Sequence, residues 1–245
     1  QALKAEGQSI WLDFIERKLM ASGQLAKMVE QDGLCGLTSN PAIFQKAIGG
    51  GTAYDATIAE ILNHGDAEPV ELFEALAIED IREAADIMRK VYDATGGVDG
   101  YVSLEVSPHL GRDTAGTLDA ARRLWKSVDR PNLMIKVPGT IEGVPAIRQL
   151  IAEGINVNIT LLFAREAYRA VANAYIEGVE LLAKSGGDIR RIASVASFFV
   201  SRIDANIDAQ LDKRIAAATD EQERKQLQSL LGKVAIANAK LAYQD

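Results

Sequence analysis

Residues 132–140 read NLMIKVPGT, and this stretch decides the fold. Asn132 to Val137 has the look of a short buried strand, closed by Pro138 and Gly139, yet Lys136 sits inside it. A short apolar run ended by Pro-Gly reads as a strand feeding a turn. Outward from it the period alternates. Strands are expected at 9–15 (SIWLDFI), 35–39 (CGLTS), 101–107 (YVSLEVS), 132–137, 155–163 (INVNITLLF) and 191–197 (RIASVAS). Helical patterns lie between them. In ELFEALAIEDIREAADIMRKVY, Phe73, Ala77, Ile81, Ala84, Met88 and Val91 recur three or four apart and share one face. TAGTLDAARRLWKSV and AREAYRAVANAYIEGVELLAKSG behave likewise, with Gly186 and Gly187 as a C-terminal stop.

Strand and helix in alternation predict parallel strands joined by crossovers. The strands are apolar on both faces, as when helices cover one side and a barrel interior the other. The expected class is α/β, a (β/α)8 barrel of the TIM type; an open doubly wound sheet is second. No Gly-x-Gly-x-x-Gly follows a strand, which weakens a dinucleotide-binding version. About six of eight βα units are countable, followed by two helical stretches at 199–217 and 221–244. The expectation is therefore one barrel-type domain over 1–245 that stops before strands seven and eight.

The 245 residues are 48% hydrophobic and 25% charged, ordinary for one large globular domain. The formal net charge of −7 leaves no basic excess for nucleic acid or acidic membranes, so any bound phosphate should be small and held by one or two placed cations. Cys35 is the only cysteine, which excludes an intrachain disulfide and fits a cytoplasmic setting. No Cys/His cluster has zinc spacing, and no signal peptide or membrane-spanning run is apparent.

Lys136 has two structural readings, a snorkelling ammonium and a buried ion pair, and one chemical reading, an amine nucleophile. An unperturbed lysine, with a pKa of about 10.4, is almost wholly protonated at neutral pH. Lowering that value by about three would raise the neutral fraction several-hundred-fold, a change of roughly 4 kcal/mol that a dry barrel interior can supply. The other strands favour chemistry. Asp13, Glu105, Asn158, Thr160 and Ser197 each lie within or at the end of a predicted strand. In a barrel the C-terminal strand ends converge on one mouth, where catalytic residues gather. In GLTSNPAIFQKAIGGGTAYD, Asn40 and Pro41 read as the cap and first residue of a helix, which also fixes the Asn40 amide at the mouth. Glycines 49–51 read as a flexible loop rather than a phosphate cradle. Arg202, in SFFVSRID, is a surface arginine on its own and a candidate phosphate clamp at the mouth.

GLTSNPAIFQKAI, MIKVPGT, INVNITLLF and SFFVSRID, in this order and spacing, resemble the transaldolases, most closely the longer bacterial forms, some of which are fused to a glucose-phosphate isomerase domain. The resemblance runs from about residue 8 onward. It implies a Schiff-base (β/α)8 barrel of the pentose phosphate pathway that needs neither metal nor organic cofactor, acts on sugar phosphates and forms dimers. Position by position, it implies Lys136 as the Schiff-base lysine, Asp13 as the acid/base, and Glu105 with Thr160 as holders of the catalytic water. Thr38, Asn40, Asn158 and Ser197 would line the sugar site, with Arg202 on the phosphate. The family's seventh-strand phosphate contacts have no counterpart in this chain. The implied reaction moves a dihydroxyacetone unit from sedoheptulose 7-phosphate or fructose 6-phosphate to an aldose phosphate. A Schiff-base aldolase releasing dihydroxyacetone and a non-catalytic barrel fragment are the competing readings.

Overall fold

A computed structural model describes residues 2–245. Six parallel strands form one sheet in sequence order: β1 Ile10–Asp13, β2 Leu34–Thr38, β3 Tyr101–Glu105, β4 Leu133–Pro138, β5 Val157–Leu162 and β6 Ser194–Phe198. Each strand pairs with the next, and the sheet curls into a partial barrel with helices outside, the TIM-type arrangement expected. β1 and β6 are its two edges. A doubly wound sheet would reverse its strand order at a switch point, and this one does not.

The strand register sorts the side chains into two sets. Leu37, Val102, Leu104, Leu133, Ile135, Val137, Val157, Ile159 and Leu162 are buried and join the main core with the helices. The opposite face carries a separate apolar layer at the N-terminal end, where Tyr92, Tyr101 and Met134 pack with Trp11 and Val195. Gly36 makes room for that layer, because a Cβ there would lie 2.4 Å from the Trp11 ring. Polar residues take over toward the C-terminal end, so the same alternation that seals the core gathers the chemistry at one mouth.

The helix Pro69–Ala94 starts with Pro69 at N1 and a capping box between Glu68 and Glu71. Ala77, Ile81, Ala84 and Met88 are buried along its face, with Phe73 and Val91 packed at the margin. The chain turns into β3 through Gly100, at φ +88°, where a Cβ would meet the Tyr92 backbone nitrogen at 2.3 Å. The helix Thr114–Val128 coincides with the predicted span and is capped by Asp113, which accepts from the Gly116 N–H at 3.0 Å. The helix Arg165–Lys184 ends just before Gly186, whose φ of +81° suits a C-terminal stop.

Several boundaries differ from the sequence reading. β1 is shorter than 9–15 and begins with a register shift at Ile10/Trp11. The stretch 221–244 is two helices, Glu221–Gln228 and Val234–Gln244, because Gly232 adopts φ +68° and its N–H turns to the Asp208 carboxylate at 3.1 Å. The loop after β2 holds two helices, Pro41–Gly49 and Asp55–Asn63, with glycines 49–51 ending the first. A π-turn at Met28–Asp32, closed by Gly33 at φ +75°, leads into β2.

Candidate functional site

Cross-strand register builds the site. Glu105 pairs with Lys136, Lys136 pairs with Asn158, and Asp13 pairs with Thr38, which in turn pairs with Ser103. Side chains at register positions share a face and a level, so these residues form two successive polar tiers on one face: Asp13, Thr38 and Ser103 on the lower, and Glu105, Lys136 and Asn158 two residues nearer the C-terminal strand ends. Lys136 is only 6% exposed. Its Nζ lies 3.3 Å from Glu105 Oε2 and donates to the Ser39 carbonyl at 3.0 Å. The snorkelling reading is thereby excluded: the ammonium head stays inside, and the amine has a carboxylate within proton-transfer distance.

Glu105 is mostly buried, and burial raises its pKa above the usual carboxylate range. Lys136 pulls it back through charge and hydrogen bonding, Asp13 pushes it further up, and Arg202 lowers it. The net direction is upward, so desolvation outweighs the lysine's attraction. A carboxylate in that state is a better proton acceptor than an exposed one, and it stands beside the Lys136 amine.

Asn158 is buried and links two hydroxyls: its Nδ2 donates to Ser103 Oγ at 2.9 Å, and its Oδ1 accepts from Ser197 Oγ at 2.9 Å. Thr160 is buried two residues further along β5, beside Pro138, and its carbonyl accepts from the Gly139 N–H at 2.8 Å. Asn40 caps the helix Pro41–Gly49, accepting from the Ile43 N–H at 3.0 Å, as its sequence position predicts. Thr38 Oγ1 is buried without a hydrogen-bond partner among the described residues. An unpaired buried hydroxyl is costly and fits a surface that meets a polar ligand.

Asp13 is exposed at the end of β1; it reaches Glu105 through its field, and no hydrogen bond to Lys136 is present among the described residues. Arg202 is also exposed. Its guanidinium lies 4.3 Å from the centroid of the Phe199 ring, which in turn stacks on Phe163 at 5.1 Å. The aromatic face holds the cation at the rim. The structure therefore gathers Lys136, Glu105, Asn158, Thr160, Thr38 and Ser197 on one face toward the C-terminal strand ends, over successive levels, with Asp13, Asn40 and Arg202 around them.

Sequence reasoning overlooked three contributors. Ser103 supports Asn158, and it lies two residues before Glu105, a period-2 position that marks it as sharing the same face. Ser39 offers its carbonyl to Lys136 and its hydroxyl donates to the Ser103 carbonyl at 2.7 Å. No sequence pattern signals a backbone carbonyl in that role. Phe199, beneath Arg202, is the third.

Among the described residues no group of three or more His, Cys, Asp or Glu is placed to hold a metal ion, and no helix is long and apolar enough to cross a membrane.

Comparison with known proteins agrees with this architecture. A "Transaldolase" of Trichodesmium erythraeum is 51% identical over 239 residues, covering 98% of this chain and 63% of that protein. "Transaldolase 2" of Nostoc punctiforme is 52% identical over 245 residues, and a "Transaldolase" of Thermobifida fusca is 50% identical over 245; each alignment covers 99% of this chain and 64% of the relative. The chain thus spans a little under two thirds of the length of these relatives. The profile of Transaldolase/Fructose-6-phosphate aldolase matches residues 10–245. With that match over nearly every residue, six parallel strands in order and a buried lysine–glutamate pair at their C-terminal ends, the chain belongs to the transaldolase/fructose-6-phosphate aldolase family.

Proposed function

We propose that the protein is a transaldolase, which transfers a dihydroxyacetone unit between sugar phosphates through a Schiff base on Lys136. The observation that carries this is the Lys136 amine, 6% exposed and 3.3 Å from a carboxylate whose pKa burial has raised. The relatives named transaldolase support the same reading.

Glu105 accepts a proton from the Lys136 ammonium, and the neutral amine attacks the C2 ketone of fructose 6-phosphate or sedoheptulose 7-phosphate. Glu105 and Thr160 hold the water that moves protons while the carbinolamine loses water to give an iminium. The iminium draws electrons, so the C3–C4 bond breaks once Asp13 takes the C4 hydroxyl proton. An aldose phosphate leaves, and a three-carbon enamine stays on Lys136. Thr38, Asn40, Asn158 and Ser197 meet its hydroxyls, the Asn158 amide being held between two serine hydroxyls in advance. The acceptor aldehyde, glyceraldehyde 3-phosphate or erythrose 4-phosphate, then bonds to the enamine carbon, and Asp13 returns its proton. Arg202 grips the phosphate of donor and acceptor in turn, its plane suited to paired hydrogen bonds. In this reading residues 1–245 are a barrel-type domain whose closure to eight strands requires two further units. A cytoplasmic setting accompanies it, in keeping with the buried, unpaired Cys35.

The test is acceptor dependence. The protein is given fructose 6-phosphate with and without erythrose 4-phosphate, and products are separated. Sedoheptulose 7-phosphate formed only with the acceptor supports the transferase. Cleavage to dihydroxyacetone at the same rate in both arms would replace it with the aldolase reading.

A further inference from the structure

Two non-glycine residues among those described have positive φ: Asp129 at 52° and Leu161 at 61°. Asp129 ends a helix, a position where aspartate tolerates the left-handed region. Leu161 has no such reason. It is an apolar, γ-branched residue in a conformation that glycine or asparagine would adopt more readily.

The strand register explains how it arises. Asn158 pairs with Val195 and Ile159 with Ala196, but the next pair is Leu162 with Phe198. Three residues of β5 therefore advance against two of β6, a one-residue bulge at Thr160–Leu161. Strict alternation would send Ile159 and Leu161 to the helix side and Thr160 and Leu162 inward. Instead Ile159 and Leu162 are both buried in the helix-side core, while Leu161 is 42% exposed. It lines a cavity of about 350 Å³ at the mouth with Glu105, Ser107, Pro138 and Thr140. The bulge thus places an apolar side chain directly after Thr160, on the wall of a cavity that Glu105 also lines, at the expense of backbone strain. Such outliers persist where the surrounding structure fixes them, and they cluster at functional sites.

We propose that Leu161 is a positioning residue whose apolar side chain keeps water from the enamine on Lys136, so that the three-carbon unit is transferred rather than released. This rests on the Schiff-base reading above. The competing reaction needs only water. One water gives a proton to the enamine carbon, and the hydroxide left behind adds to C2. The C2–N bond then breaks as the new hydroxyl's proton passes to the Lys136 nitrogen, and dihydroxyacetone leaves. An apolar wall on the cavity that Glu105 opens into disfavours the first of these steps without touching the attack on an aldehyde.

The experiment compares the full chain with Leu161→Gly, Leu161→Asn and Leu161→Met, using fructose 6-phosphate with and without erythrose 4-phosphate. Glycine and asparagine accept the left-handed backbone, so both variants fold and unfold thermally at or above the parent's temperature. Each should keep the borohydride-trapped Lys136 adduct, while the ratio of dihydroxyacetone release to transfer rises about tenfold. Leu161→Met retains an apolar cover and should keep the parent ratio. An unchanged ratio in both polar and glycine variants, with the fold intact, overturns the proposal and leaves Leu161 as a bulge residue only. Absence of any adduct in the parent overturns the Schiff-base reading itself, and the shield falls with it.

Discussion

Replacing Glu105 by glutamine separates two opposing effects at the buried pair. Two unit charges 3.3 Å apart attract by about 5 kcal/mol at an effective dielectric near 20. That figure alone predicts that Glu105→Gln is severely destabilising, since it strands a buried ammonium. Against it stands the desolvation of the carboxylate, several kcal/mol for an ion taken out of water. The upward direction of the Glu105 pKa says that desolvation wins, even with Lys136 alongside and Arg202 helping. For an acid raised in the folded state, the fold binds more protons than the unfolded chain between the ordinary and the raised value. Stability from this group is therefore full below the ordinary carboxylate pKa and is lost as pH rises through the raised one. Glutamine, neutral and of the same shape, resembles the protonated state that the fold prefers. The variant should match the parent within about 1 kcal/mol below the carboxylate range, and the difference should move in its favour as pH rises toward 7, by about 1.4 kcal/mol for each tenfold difference in proton affinity. Turnover should fall by about 10²-fold or more, because the proton acceptor beside Lys136 is gone. Urea unfolding of both proteins from pH 4 to 8, with steady-state kinetics at pH 7, measures both. A variant that loses about 3 kcal/mol or more at pH 7, with the deficit growing as pH rises, would mean that the Lys136 attraction outweighs the burial of Glu105.

Asn158→Ala removes the link between Ser103 and Ser197 and leaves two hydroxyls without their partner; it should cost about 2–4 kcal/mol in urea unfolding and reduce turnover as well. Asp80, fully buried, accepts from Arg17 at 3.0 Å and from the Tyr54 hydroxyl at 2.6 Å, joining the chain after β1 to the helix Pro69–Ala94. Asp80→Ala takes the acceptor from the buried Tyr54 hydroxyl and leaves Arg17 with Glu79 and Thr57 as partners, and should cost about 1–3 kcal/mol, read in the same way, while the Lys136 adduct still forms in the folded fraction. Arg202→Ala should raise KM for fructose 6-phosphate by about tenfold or more and leave that for unphosphorylated fructose nearly unchanged, because only the phosphate loses its paired hydrogen bonds. Equal effects on both sugars would remove Arg202 from the phosphate.

Much of the fold is legible in the sequence because it rests on period. The six strand cores and the helix Thr114–Val128 follow from alternation and capping alone, since burial on one face leaves few registers open. The break within 221–244 was not legible, because the residues around Gly232 continue a helical pattern and only the Asp208 contact reveals the turn. The bulge in β5 was hidden for a related reason. INVNITLLF reads as an unbroken strand, and Leu161 carries no glycine or asparagine to announce a left-handed backbone. At the site, residue types and strand positions bring out Lys136, Glu105 and Asn158. Their spacing in sequence does not show that Glu105 and Lys136 are register partners, nor that Ser39 supplies a carbonyl, because both depend on how separate strands align. The cluster of Arg17, Tyr54 and Asp80 was likewise invisible, its members being 26 to 63 residues apart.

The most direct measurement is the mass of the protein after incubation with fructose 6-phosphate and borohydride, in the parent and in Lys136→Met. A reduced three-carbon or hexose-phosphate adduct is expected in the parent, mapped to the peptide that holds Lys136, and none in the variant. An adduct that survives Lys136→Met, or a parent that is never labelled, would contradict it.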